Sequence, residues 1–264
     1  MNTATAAASR TSLEGRIAIV TGAAANLGVG IVEALAAAGA RVAIGARRLE
    51  AAEAVAERVR AHGGQALAVR NDVCLERDVE ELVSQTVRSW GRLDIVVHNA
   101  SSSASGRPAA VEDIDDASWH EQWNVGLGAA QRLARVSFPH LKASGRGRFF
   151  VMSSTQGLHG GSMNPSYSSI KSGLRGFTKS LAREWGPHGI LVSAIAPAAL
   201  TGPAVQYLER NPAFGTQVAA TTPLGRLGDP RNDIGRTIVA MCGDDWNYVT
   251  GLTLMVDGGN YLAQ

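Results

Sequence analysis

At 264 residues, 45% of them hydrophobic and 18% charged, the chain has the makeup of an ordinary globular protein with enough apolar side chain for a sizeable core. A formal net charge of +2 and 5% aromatics argue against the basic face and base-stacking surface of a nucleic-acid binder. No apolar stretch reaches the length that spans a bilayer, and Cys74 and Cys242 form neither a disulfide framework nor a metal-ligand spacing.

Residues 1–12, MNTATAAASRTS, are small and polar and lack the basic start and apolar run of a secretion signal. They read as a flexible tail ahead of one folded unit over 13–264, expected in the reducing cytoplasm. Arg16–Thr21 is a short apolar run, expected as a strand, and after it Gly28, Ile31, Val32 and Leu35 share a helical face. Further strands are expected at Arg41–Gly45, Gln65–Arg70, Leu93–His98, Arg148–Met152, Ile190–Ile195 and Leu252–Val256. Between them, Val79, Leu82, Val83 and Val87, and later Ile170, Leu174, Phe177 and Leu181, have helical spacing. The strand runs are nearly continuously apolar, as in a parallel sheet covered on both faces. The pattern predicts an α/β fold: a single-domain, Rossmann-like, doubly wound parallel sheet of about seven strands with helices on both faces. Ala198–Thr222 interrupts this rhythm, with one short helical piece around Val205–Arg210. Its position after a strand's carboxyl end favours a substrate lid over a plain surface loop.

Ligands of such sheets bind beyond the carboxyl ends of the strands. The first strand runs into Thr21-Gly22-Ala23-Ala24-Ala25-Asn26-Leu27-Gly28 and then a helix, the setting in which a glycine turn cradles a pyrophosphate. The second strand ends in Ala46-Arg47-Arg48, where an acid would bind ribose hydroxyls. Two guanidinium groups there suit a 2′-phosphate, so NADP(H) is favoured and NAD(H) remains possible. Tyr167 and Lys171 stand four apart, neighbours on a helix that Pro165 would start. An ammonium beside a phenol favours the phenolate, which would lower the Tyr167 pKa and make it a usable acid/base.

Ser154 closes the fifth strand thirteen residues before Tyr167, and at this point the chain resembles the short-chain dehydrogenases/reductases. The resemblance runs from Leu13 to about Tyr261. It takes in the glycine turn, Asn71-Asp72-Val73, His98-Asn99-Ala100, Ser154, Tyr167 and Lys171, Pro197, Pro223 through Gly228, and Val256-Asp257-Gly258-Gly259. It implies that Ser154 hydrogen-bonds the substrate oxygen, Tyr167 passes the proton, and Lys171 holds the nicotinamide ribose. It also implies that Gly22, Asn26, Leu27 and Gly28 meet the phosphates, Asp72 and Val73 the adenine, Asn99 and Ala100 the adenosine side, and Pro197 and Leu200 the nicotinamide. A homotetramer is implied as well. No metal is expected, since no His/Cys/carboxylate cluster exists.

The chain departs from the family pattern in four places. Asn26 stands for the middle glycine of the turn, and Asn tolerates positive φ. His98-Asn99-Ala100-Ser101 stands for Asn-Asn-Ala-Gly, and Pro197-Ala198 for Pro-Gly. The fourth is Gly126, where the family has an Asn that anchors a water of the proton relay. Asn124 is a poor substitute unless the helix is bulged, and a glycine at 126 could make room for water or a bulky substrate. The expected function is interconversion of a ketone and a secondary alcohol by hydride transfer. The alternative is a nucleotide-binding relative with weak or lost catalysis. His159, Gln156, Tyr207 and Ser101–Ser103 are candidates for substrate contact, whereas His98 reads as structural.

Overall fold

The computed structural model describes residues 11–105, 108–200 and 210–262. Seven parallel strands form one sheet: β1 (Ile17–Thr21), β2 (Arg41–Ala46), β3 (Gln65–Arg70), β4 (Ile95–His98), β5 (Arg148–Met152), β6 (Leu191–Pro197) and β7 (Thr253–Val256). All seven expected strands are present, with ends that differ by at most two residues. Their order is β3-β2-β1-β4-β5-β6-β7. It reverses between β1 and β4, which opens a crevice at their carboxyl ends.

The near-continuous apolar runs follow from burial on both faces. Ala18, Val20, Ile95, Val97, Phe150 and Met152 pack into one core, while Ile19, Val96, Phe149 and Val151 pack into the other. Helices α1 (Asn26–Ala37) and α2 (Leu49–Ala61) cover the first core together with a helix at Arg236–Met241. The second is covered by α3 (Glu76–Trp90), by α5 (Ala129–Ser144), which follows α4 (Asp116–Trp123), and by α7 (Pro165–Trp185), which follows the one-turn α6 (Gln156–His159).

Between α4 and α5 the helix opens into a wide turn, a π-helical segment over Asn124–Gly128. Of the tail, residues 1–10 lie outside the described residues, as do 201–209, which carry Tyr207 and most of the expected helical piece at 205–210. The described part of the expected lid contains a bridge from Ala199 to Gly228 and a helix at Pro212–Thr221. Among the described residues, no helix is long and apolar enough to cross a membrane.

Candidate active site

A cleft of about 780 Å³ opens where β1 and β4 part, lined by the glycine turn, the ends of β2 and β3, and Tyr167 and Lys171 of α7. The backbone of the turn is shaped for close approach. Gly22 has φ 64°, and a Cβ there would stand 2.6 Å from Ala100 Cα. A Cβ on Gly28 would meet Ala23 Cα at 2.6 Å and Asn99 Nδ2 at 2.7 Å. Asn26 adopts φ 50°, the left-handed conformation that Asn reaches more easily than most other non-glycine residues. No side chain caps the N-terminus of α1, so its first N–H groups and positive dipole end are left to a ligand.

Asn99 differs in part from expectation. Its amide lines the cleft, but Nδ2 donates to the carbonyl oxygens of Thr21 and Gly22, both at 3.0 Å, and so braces the turn. Arg47 and Arg48 are exposed on the rim, and neither has a side-chain partner among the described residues. Asp72 and Val73 line the same end, with Asp72 Oδ1 accepting from Cys74 N at 3.0 Å. The uncapped helix and the cleared turn fit the phosphates of a nicotinamide dinucleotide.

At the other end Pro197, Ser153 and Met152 meet the Tyr167–Lys171 pair. Lys171 is enclosed, and burial lowers its pKa to about 8. Its Nζ donates to Met152 O at 2.6 Å and lies 5.3 Å from the centroid of the Tyr167 ring. Tyr167 departs from the sequence expectation: burial raises its phenol above 10, opposed only by a hydrogen bond with Ser154. The reason is geometric. The ammonium is held over the ring by the Met152 carbonyl and not at the phenol oxygen. Ser154 stands beside Tyr167 rather than in the wall of the cleft.

Leu200 is not brought to the cleft; its N–H is bonded to Gly228 O at 2.8 Å and its side chain is half exposed. Of the candidate substrate contacts, Ser101 and Ser102 line the cleft, and Ser102 donates to Glu121. His159 is exposed and stacks on Tyr261 with ring centroids 5.6 Å apart. Gln156 is held by Asn164 at 3.3 Å. The sequence reading missed Met152, whose carbonyl holds Lys171, and Val125, which lines the wall. A backbone acceptor leaves no residue-type signal. Val125 reaches the wall because of a turn that periodicity does not reveal.

Gly126 overturns one expectation. The helix is bulged there, but Asn124 faces away, its Oδ1 accepting from Arg132 Nη2 at 2.5 Å. No room is left beside Gly126, since a Cβ would stand 2.4 Å from Ile170 Cγ2. Gly126→Asn is therefore expected to lower stability by about 1–3 kcal/mol through overpacking and to bring no gain in activity. Ile170→Ala should cost less in the Gly126→Asn background than in wild type, because it frees the space that the new side chain needs. Thermal denaturation of the single and double variants checks this, and a single variant as stable as wild type would contradict it.

Among the described residues, no group of three His, Cys, Asp or Glu side chains could hold a metal. A family model described as "Enoyl-(Acyl carrier protein) reductase" matches residues 22–260. The 12alpha-hydroxysteroid dehydrogenase of a Clostridium species is 32% identical over 255 residues, covering 93% of this chain and 96% of that protein. The crystal structure of 3-ketoacyl-(acyl-carrier-protein) reductase from Brucella melitensis, complexed with NADH, superposes with a TM-score of 0.85 at 29% identity, covering 94% of this chain and 99% of that one. A putative NAD(P)-dependent gluconate 5-dehydrogenase from Beutenbergia cavernae, with bound NADP at low occupancy, gives a TM-score of 0.85 at 32% identity over 95% and 98%.

Proposed function

The chain belongs to the short-chain dehydrogenase/reductase family of oxidoreductases, and from that premise we propose that it interconverts a ketone and a secondary alcohol with NADP(H). The observation that carries the proposal is the placing of Tyr167 and Lys171 at one end of a cleft, with Ser154 beside Tyr167, while the other end presents two arginines without a side-chain partner among the described residues. The nicotinamide, when bound, supplies the hydride. Tyr167, a phenol at neutral pH, gives its proton to the developing alkoxide. Ser154 orients the carbonyl oxygen, and Lys171 places a charge beneath the ring. Gly22, Asn26, Leu27 and Gly28 would receive the phosphates, Asp72 and Val73 the adenine, Asn99 and Ala100 the adenosine side, Pro197 the nicotinamide, and Arg47 and Arg48 the 2′-phosphate.

Titration with NADPH and NADH, followed by a panel of cyclic and linear ketones, tests this reading. NADPH binding with turnover supports it. Binding of either nucleotide without turnover would leave a binding protein, and failure to bind both would remove the premise of the cleft. For the cofactor choice, Arg47→Ala/Arg48→Ala is expected to weaken NADPH about 10- to 100-fold while NADH stays within about threefold. Equal loss for both nucleotides would assign the arginines a role other than 2′-phosphate recognition.

A homotetramer belongs to the same proposal. All four residues of the edge strand β7 are only half-buried, a surface that assembly would cover. Light scattering on the eluting protein decides it. A cytoplasmic location is also proposed, in keeping with two free cysteines.

A further inference from the structure

His98 is 2% exposed at the end of β4, and the proposed reaction does not use it. Its two ring nitrogens have different partners. Nε2 lies 3.0 Å from the carbonyl oxygen of Gly126, and Nδ1 lies 3.2 Å from Thr21 Oγ1. A carbonyl only accepts, so Nε2 carries the proton. Thr21 Oγ1 already accepts from the backbone N–H groups of Asn99 at 3.2 Å and Ala100 at 3.3 Å, which fills its two lone pairs. Its own hydrogen therefore goes to Nδ1. These partners assign the neutral Nε2–H tautomer. Burial above all, with the charge of Lys171 adding to it, keeps the ring neutral by lowering its pKa to about 4.

The resulting chain of bonds joins two parts of the site. At one end, Thr21 leads into the glycine turn, and Asn99 and Ala100 line the cleft. At the other, Gly126 packs against Ile170, the residue before Lys171. A wide turn disturbs the regular pairing of backbone carbonyls, and the imidazole donates to one of them. We infer that His98 is a positioning residue that ties the floor of the nucleotide cleft to the helix wall beside Lys171. It acts through Thr21 and Gly126 and touches no reactant. The inference rests on reading the cleft as a nucleotide site.

Two half-replacements separate the ends. Asn at 98 can offer an oxygen near the place of Nδ1 and keep the Thr21 end. Gln can offer an amide nitrogen near the place of Nε2 and keep the Gly126 end. His98→Asn is expected to hold NADPH affinity within about threefold while kcat falls about tenfold. His98→Gln is expected to weaken NADPH about tenfold, with kcat at saturating nucleotide nearer wild type. Folded variants that both match wild type, or that lose affinity and kcat to the same extent, overturn the positioning role. Nitrogen-15 NMR of histidine-labelled, nucleotide-free wild type reads the tautomer directly. A protonated Nε2 and bare Nδ1 are expected from about pH 8 down to about pH 5.5. The opposite tautomer, or a charged ring at about pH 6, overturns the inference even if neither variant folds and whatever substrate the protein takes.

Discussion

Tyr167→Phe is expected to lower kcat/KM for ketone reduction by about 10²- to 10⁴-fold while leaving NADPH affinity within about threefold. Phe keeps the ring over which Lys171 Nζ lies and removes only the oxygen that bonds to Ser154. The loss should therefore fall on proton transfer, seen as a drop in kcat with little change in KM. The pH dependence has a definite sign. Burial raises the Tyr167 phenol above 10, so the acid form needed for reduction persists through neutral pH and is lost only in strong alkali. Oxidation of the alcohol needs the phenolate and should accelerate as pH rises. Steady-state rates in both directions from about pH 6 to about pH 10 check both statements. A Phe variant that retains most of its turnover would move the proton transfer to another group.

The architecture was legible because its rule is simple. A strand covered on both faces must be apolar at every position, as in Ile17–Thr21 and Arg41–Ala46, and helices must fall between. Asn26 was legible too, because the demand for positive φ admits few residue types. The wide turn at Asn124–Gly128 was not, because a π-turn shifts helical register without a composition of its own. Gly126 could be identified as a departure, but the Ile170 methyl that fills its space lies 44 residues away in sequence. The direction of the Tyr167 shift was not legible, for a related reason. Spacing four apart brings Lys171 near the ring, but only the Met152 carbonyl decides where the ammonium points.

That carbonyl also frames the second large effect. Burial lowers Lys171 from 10.5 to about 8, so the folded protein holds this proton more weakly than the unfolded chain does. Below about pH 8 the folded state bears the full penalty of an enclosed charge, about 3 kcal/mol for a shift of that size. Wild-type stability should therefore rise as pH climbs from about 8 to about 10.5, where the unfolded chain carries more protons. Lys171→Met removes the charge and fills a similar volume with an adaptable apolar side chain. It leaves Met152 O without its donor, which costs about 1 kcal/mol. The net expectation at pH 7 is a variant about 1–2 kcal/mol more stable than wild type and at least about 100-fold less active. The stability advantage should shrink toward pH 10.5, where the wild-type amine is neutral in both states. Thermal melts of both proteins across that range test the argument. A Met variant that is less stable at every pH would mean that the enclosed ammonium stabilises the fold. The sequence would then be keeping Lys171 for packing, and its place beside Tyr167 would lose its force as evidence for chemistry.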